Sequence, residues 1–181
     1  MLKFKWLIVL LLFLIPVQPS FADDRAKIVG TWKVVSQEWE IQATGERQLP
    51  MGKNPTGYVI FTPEGRLMFL ITGEGRKPPK TDQDRANLLN SMAAYSGMYR
   101  LEGDKLIYKV EIAWHPARVG TEQVRFVRFD GDRLHVITDW MPATSGPGGM
   151  GRAILTFDPA PEVQWFPVPN HRGFSGEELR P

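Results

Sequence analysis

The chain has no cysteine, which excludes disulfides, thiolate metal sites and a lipid-modified cysteine. Histidine is scarce as well, with three in the whole sequence. Glu111 and His115 stand four residues apart on one extended run, roughly 13 Å, too far to share an ion. No metal and no cofactor is expected. An excess of one charge is also missing: 22 Lys and Arg face 20 Asp and Glu, and Lys3 and Lys5 belong to the leader. Nothing in that balance attracts nucleic acid or an anionic membrane. The sequence holds no Gly-x-Ser-x-Gly. The glycine-rich stretch 143–151, which includes Ser145, has neither the lysine nor the following helix of a phosphate loop. A nucleophile elbow and a nucleotide cradle are therefore both unsupported.

A long apolar run is lacking too. Trp6 to Val17 is apolar apart from Pro16 and Gln-free, but about a dozen residues fall short of the roughly 20 that span a bilayer. With Lys3 and Lys5 before it and Ser20-Phe21-Ala22 after it, residues 1–22 read as a signal peptide cut after Ala22. The expected product is exported, periplasmic or secreted, a monomer without stable membrane insertion. Residues 23–158 suffice for one domain with its own core. Residues 159–181 form a proline-rich arm carrying Trp165-Phe166, an expected surface for protein contact.

What is abundant is aromatic and β-branched. Six Trp and ten Phe in so short a chain call for an aromatic interior or pocket. Lys105–Trp114, Thr121–Phe129 and Leu134–Thr138 are strand-like runs separated by Gly- or Pro-bearing breaks, the mark of an antiparallel meander. Earlier strands are expected at Trp32–Glu40, with Trp32, Val34 and Ser36 on one face, and at Gly57–Thr62 and Arg66–Thr72, joined by Pro63-Glu64-Gly65. Tyr95–Leu101 and Arg152–Phe157 complete the set. Thr81-Asp82-Gln83-Asp84 caps the one expected helix, which runs to about Ala94 with Leu88, Leu89, Met92 and Ala93 on an apolar face laid against the barrel. The fold class is all-β: an antiparallel up-and-down barrel of about eight strands with one helix.

Several ordered motifs then resemble the lipocalin-like domain family of bacteria and fungi. They are Gly30-Thr31-Trp32-Lys33-Val34-Val35-Ser36, Thr56-Gly57-Tyr58, Phe61-Thr62-Pro63-Glu64-Gly65-Arg66 and Ala94-Tyr95-Ser96-Gly97-Met98-Tyr99. Val119-Gly120-Thr121-Glu122-Gln123-Val124-Arg125 and Asp130-Gly131-Asp132-Arg133-Leu134 continue the series. The resemblance implies the barrel and, for Trp32, the role of the lipocalin tryptophan that closes one end. For the arginine that packs over that tryptophan, the sequence offers only Arg152 and Arg172.

Candidate site residues come from the meander. If His115–Gly120 is a symmetric hairpin connection, Glu111 faces Arg125 and Ala113 faces Gln123, with Val127 and Phe129 further along the same face. That face is either solvent, making the pair a surface salt bridge, or an interior, making Glu111, His115, Gln123 and Arg125 a polar rim for the head group of an apolar ligand. Tyr58, Tyr95, Tyr99, Tyr108 and Trp114 line a core or a pocket. The expected ligand-contacting set is Glu111, His115, Arg125, Gln123, Tyr99 and Trp114, and the expected partner a small hydrophobic molecule. The alternative is a cofactor-free isomerase, cyclase or dehydratase, with Glu111 or His115 as base and Arg125 steadying an oxyanion.

Overall fold

The computed structural model describes residues 26–143 and 149–161. Residues 1–22, expected above to be a signal peptide, together with Ser145, Arg172, Trp165-Phe166 and the expected arm beyond 161, lie outside the described residues. A helical turn at 26–28 leads into β1 (Gly30–Ile41), then β2 (Arg47–Gln48), β3 (Thr56–Phe61) and β4 (Arg66–Thr72). Helix α1 (Asp82–Asn90) precedes β5 (Met92–Glu102), β6 (Lys105–Ala113), β7 (Glu122–Asp130), β8 (Arg133–Thr138), β9 (Met141–Pro142) and β10 (Met150–Pro159). Neighbouring strands pair antiparallel in the order β1-β3-β4-β5-β6-β7-β8-β10, and β10 returns to β1, so eight strands close a barrel. The short β2 and β9 only pair alongside one end of β1 and of β10.

Strict alternation on β3 and β4 builds one wall. Val59, Phe61, Leu67, Phe69 and Ile71 are buried, while Tyr58, Ile60, Met68 and Leu70 face out. Two other strands break that alternation. On β1, Val34 pairs with Phe157 and Ser36 with Thr156, so Val35 is an extra residue. The bulge reverses the faces: Trp32 and Val34 point in before it, Gln37 and Trp39 after it, and Ser36 leaves the interior face expected of it. On β6, Gly97 of β5 pairs with Val110 and Ser96 with Ile112, leaving Glu111 as the extra residue. A Cβ on Gly97 would overlap the Lys109 carbonyl oxygen, so only glycine lets the strands approach here.

One end of the barrel is filled. Trp32 is 7 % exposed, donates from Nε1 to the Ile28 carbonyl at 2.8 Å and tilts against the Phe129 ring at 5.9 Å. Phe61, Leu134 and Phe157 pack in the same core. The role expected for Trp32 is the one it has, but no arginine covers it among the described residues. Arg152, one of the two arginines the sequence offers for that contact, instead pairs with Glu40 at 2.5 Å and lies 4.5 Å over the Trp140 ring.

The helix departs from expectation in length and packing. Its start is as read: Thr81 Oγ1 accepts from the Asp84 amide while Asp84 accepts from the Thr81 amide, a reciprocal cap. It stops at Asn90, Met92 and Ala93 belong to β5, and no helical residue is buried, with Leu89 51 % exposed. Two expected apolar positions, Met92 and Ala93, were periodic by coincidence, because a strand begins where the helical repeat continues.

Candidate ligand-binding site

The end opposite Trp32 holds a cavity of about 400 Å³. Its apolar wall comes from Trp39 of β1, Phe69 and Ile71 of β4, Tyr95 of β5 and Leu155 of β10, with Met51, Trp114 and Met141 nearer the loops. Polar residues share the lining: Gln37, Gln48, Asn90, Gln123, Thr138 and the two arginines Arg118 and Arg125. Among the described residues no aspartate or glutamate lines it. Below it, a void of about 30 Å³ lies among Val59, Phe61, Leu67 and Leu106, with Tyr95, Tyr108 and Arg125 bordering it too. Arg125 and Tyr95 line both spaces.

The β6–β7 connection explains which residues arrive there. It is not a symmetric hairpin. Tyr108 pairs with Gln123 and Leu106 with Arg125, so Arg125 does not face Glu111. The ladder closes at Val110, whose amide donates to the Thr121 carbonyl while the Gly120 amide donates to the Val110 carbonyl. Residues beyond Val110 run on along β5 and return through a 3-10 turn at Pro116–Arg118. The turn starts with proline and the connection ends with Gly120 at φ +81°, a left-handed conformation that suits glycine. This wide excursion carries Trp114 and Arg118 to the mouth of the cavity.

The expected site therefore divides. Arg125, Gln123 and Trp114 line the cavity. Glu111 sits on the outer wall at its bulge and pairs with Arg66 at 2.7 Å, both side chains nearly half exposed. His115 is exposed, its ring 6.1 Å edge-on from Trp114, and it does not line the cavity. Tyr99 is buried at the filled end, donating to the Thr62 carbonyl at 2.9 Å and meeting Phe61 edge-on at 5.1 Å. Residues absent from the expected set are Gln37, Trp39 and Arg118. A bulge delivers the first two and a loop excursion the third, and neither leaves a periodic signal.

A short relay of hydrogen bonds holds the polar side. Thr121 Oγ1 donates to the Arg118 carbonyl at 2.7 Å, Gln123 Nε2 donates to Thr121 Oγ1 at 2.9 Å, and Arg125 Nη2 donates to Gln123 Oε1 at 3.0 Å. Arg125 Nη1 donates to the Val124 carbonyl at 2.7 Å, and the guanidinium lies 5.7 Å from the Tyr108 ring centre. Burial pushes the Tyr95 phenol well above its ordinary pKa, and Tyr108 adds to the rise. The positive charges of Arg125 and Arg118 act on it in the opposite sense, so both guanidinium groups are felt at this phenol.

A closed eight-stranded antiparallel barrel, filled at one end and hollow at the other, defines a ligand-binding barrel. Residues 29–158 match the model of the lipocalin-like domain, and the chain belongs to that family. A comparison with curated proteins finds no match.

Proposed function

We propose that this is an exported barrel that holds a small, mainly apolar molecule in the cavity at its open end. The observation that carries the reading is the cavity itself: about 400 Å³, walled by Trp39, Phe69, Ile71, Tyr95 and Leu155, with its two positive charges, Arg118 and Arg125, on the loop before β7 and on β7. That size sits at the lower part of the roughly 300–1,000 Å³ common for small-molecule sites. Export rests on the leader alone, with its lysines, its short apolar run and Ala22. The enzyme alternative loses both of its named bases, since Glu111 and His115 do not line the cavity.

Native mass spectrometry of protein purified without detergent tests the proposal, followed by extraction of anything bound. A reproducible small organic adduct, or uptake of an offered apolar probe at one per chain, is the expected result. A barrel that carries nothing and takes up no apolar probe overturns it.

A further inference from the structure

We infer that the molecule held in this cavity ends in an anionic group, seated between Arg125 and Arg118. The inference rests on the cavity being the ligand site, as proposed above. Among the described residues six arginines have a carboxylate within salt-bridge distance, Arg47, Arg66, Arg85, Arg100, Arg133 and Arg152, while Arg76 and Arg128, both exposed to water, have none. The two that line the cavity have none among the described residues, and no carboxylate lines the cavity with them. A partly buried guanidinium without a counter-charge carries a desolvation cost that an incoming anion would relieve.

Both groups are also held ready. Arg125 uses two of its five N–H donors on neutral oxygens, the Val124 carbonyl and the Gln123 amide, which fix the plane and leave three donors. Arg118 makes no side-chain hydrogen bond among the described residues and is steadied instead by the Trp114 ring, 5.1 Å from its guanidinium carbon. The relay through Thr121 and Gln123 ties the Arg118 backbone to the Arg125 side chain. Across the cavity, Gln37 Oε1 is buried without a partner. An amide so placed accepts from a ligand hydroxyl, or after a half-turn donates to an anion. A fork of unpaired donors is the geometry that recognises a carboxylate or a phosphate.

Decanoate and decanol share one tail and differ in the charge of the head, so titration of the purified protein with each at pH 7.5 by calorimetry tests the inference. Decanoate is expected to bind at least tenfold tighter. Arg118→Gln and Arg125→Gln, each measured in protein that is folded by circular dichroism, should each remove most of that preference. Arg125→Lys should keep part of it. Equal binding of the two probes, or a preference for decanol, overturns the anionic head group while leaving the cavity as a ligand site. Binding of neither removes the cavity reading, and this inference with it. Adding decyl phosphate then separates the two head groups: tighter binding than decanoate assigns phosphate, weaker binding assigns carboxylate.

Discussion

The rings of Tyr95 and Tyr108 lie 3° from parallel with centroids 5.4 Å apart, and their hydroxyls meet at 3.1 Å between the open cavity and the closed core. Phe69 extends the stack, its centre 4.9 Å from that of Tyr95. The pair forms a floor: apolar faces seal the core below, and one part-buried hydrogen bond joins the two phenols.

Removing one hydroxyl should cost more than removing both. Tyr95→Phe leaves the Tyr108 hydroxyl without this partner and should destabilise by about 1–2 kcal/mol. The double variant Tyr95→Phe with Tyr108→Phe should cost less than the sum of the singles, a coupling readable from urea midpoints. Strictly additive losses would mean the hydroxyls do not depend on each other.

Trp39 reaches the cavity because Gly151 gives it room. A Cβ at Gly151 would fall inside the Trp39 indole, so Gly151→Val must expel the ring from the wall. Overpacking of this kind costs about 1–3 kcal/mol. Uptake of an apolar probe should fall at least tenfold in protein that is still folded by circular dichroism, with a red shift in tryptophan emission. Unchanged uptake would remove Trp39 from the site.

The Arg66–Glu111 pair should matter little. Both side chains are nearly half exposed, so a double-mutant cycle should return at most about 1 kcal/mol, reduced further by salt. Glu111→Gln should leave probe uptake unchanged. A large loss of uptake would contradict the placement of Glu111 on the outer wall.

That pair also marks where the sequence stopped being legible. Strand identity, the hairpin at Pro63–Gly65 and the helix cap at Thr81 all follow from local chemistry: alternation, turn residues, a side chain that caps; the closing role of Trp32 came from the family resemblance. Facing residues do not. Expecting Arg125 to face Glu111 required a symmetric loop, whereas the ladder closes at Val110 and Arg125 pairs with Leu106. An odd offset of that kind turns one strand over relative to the other, so Arg125 and Gln123 line the cavity while Glu111 is on the outer wall. The bulges at Val35 and Glu111 add further reversals that depend on packing across the barrel, on the far side of which the sequence has no local trace. Gln37, Trp39 and Arg118 were hidden for that reason.

Acid should weaken the fold through His135. Its Nδ1 lies 3.2 Å from Thr156 Oγ1 and its Nε2 is buried with no partner. Burial, followed by the nearby Arg128, lowers its pKa below the ordinary 6.5. The unfolded chain then takes up a proton at a higher pH than the folded one, so stability is fully present above about 6.5 and is lost as pH falls toward the lowered folded value. His135→Asn should flatten that part of the stability profile measured by urea unfolding between pH 7.5 and 5. An unchanged slope would place the acid sensitivity elsewhere.

The central claim is that the ligand sits inside the barrel, and the protein offers a competing apolar surface. Tyr58, Met68, Leu70 and Ile112 are exposed on the outer wall of β3 to β6, Ile112 at 70 %. Amide chemical-shift mapping in a nitrogen-15 labelled sample during a decanol titration discriminates the two directly. The account predicts saturable shifts at Gln37, Ala93, Tyr95, Gln123 and Leu155, around the cavity. Shifts confined to Tyr58, Met68, Leu70 and Ile112 would place the bound molecule on the outside and contradict it.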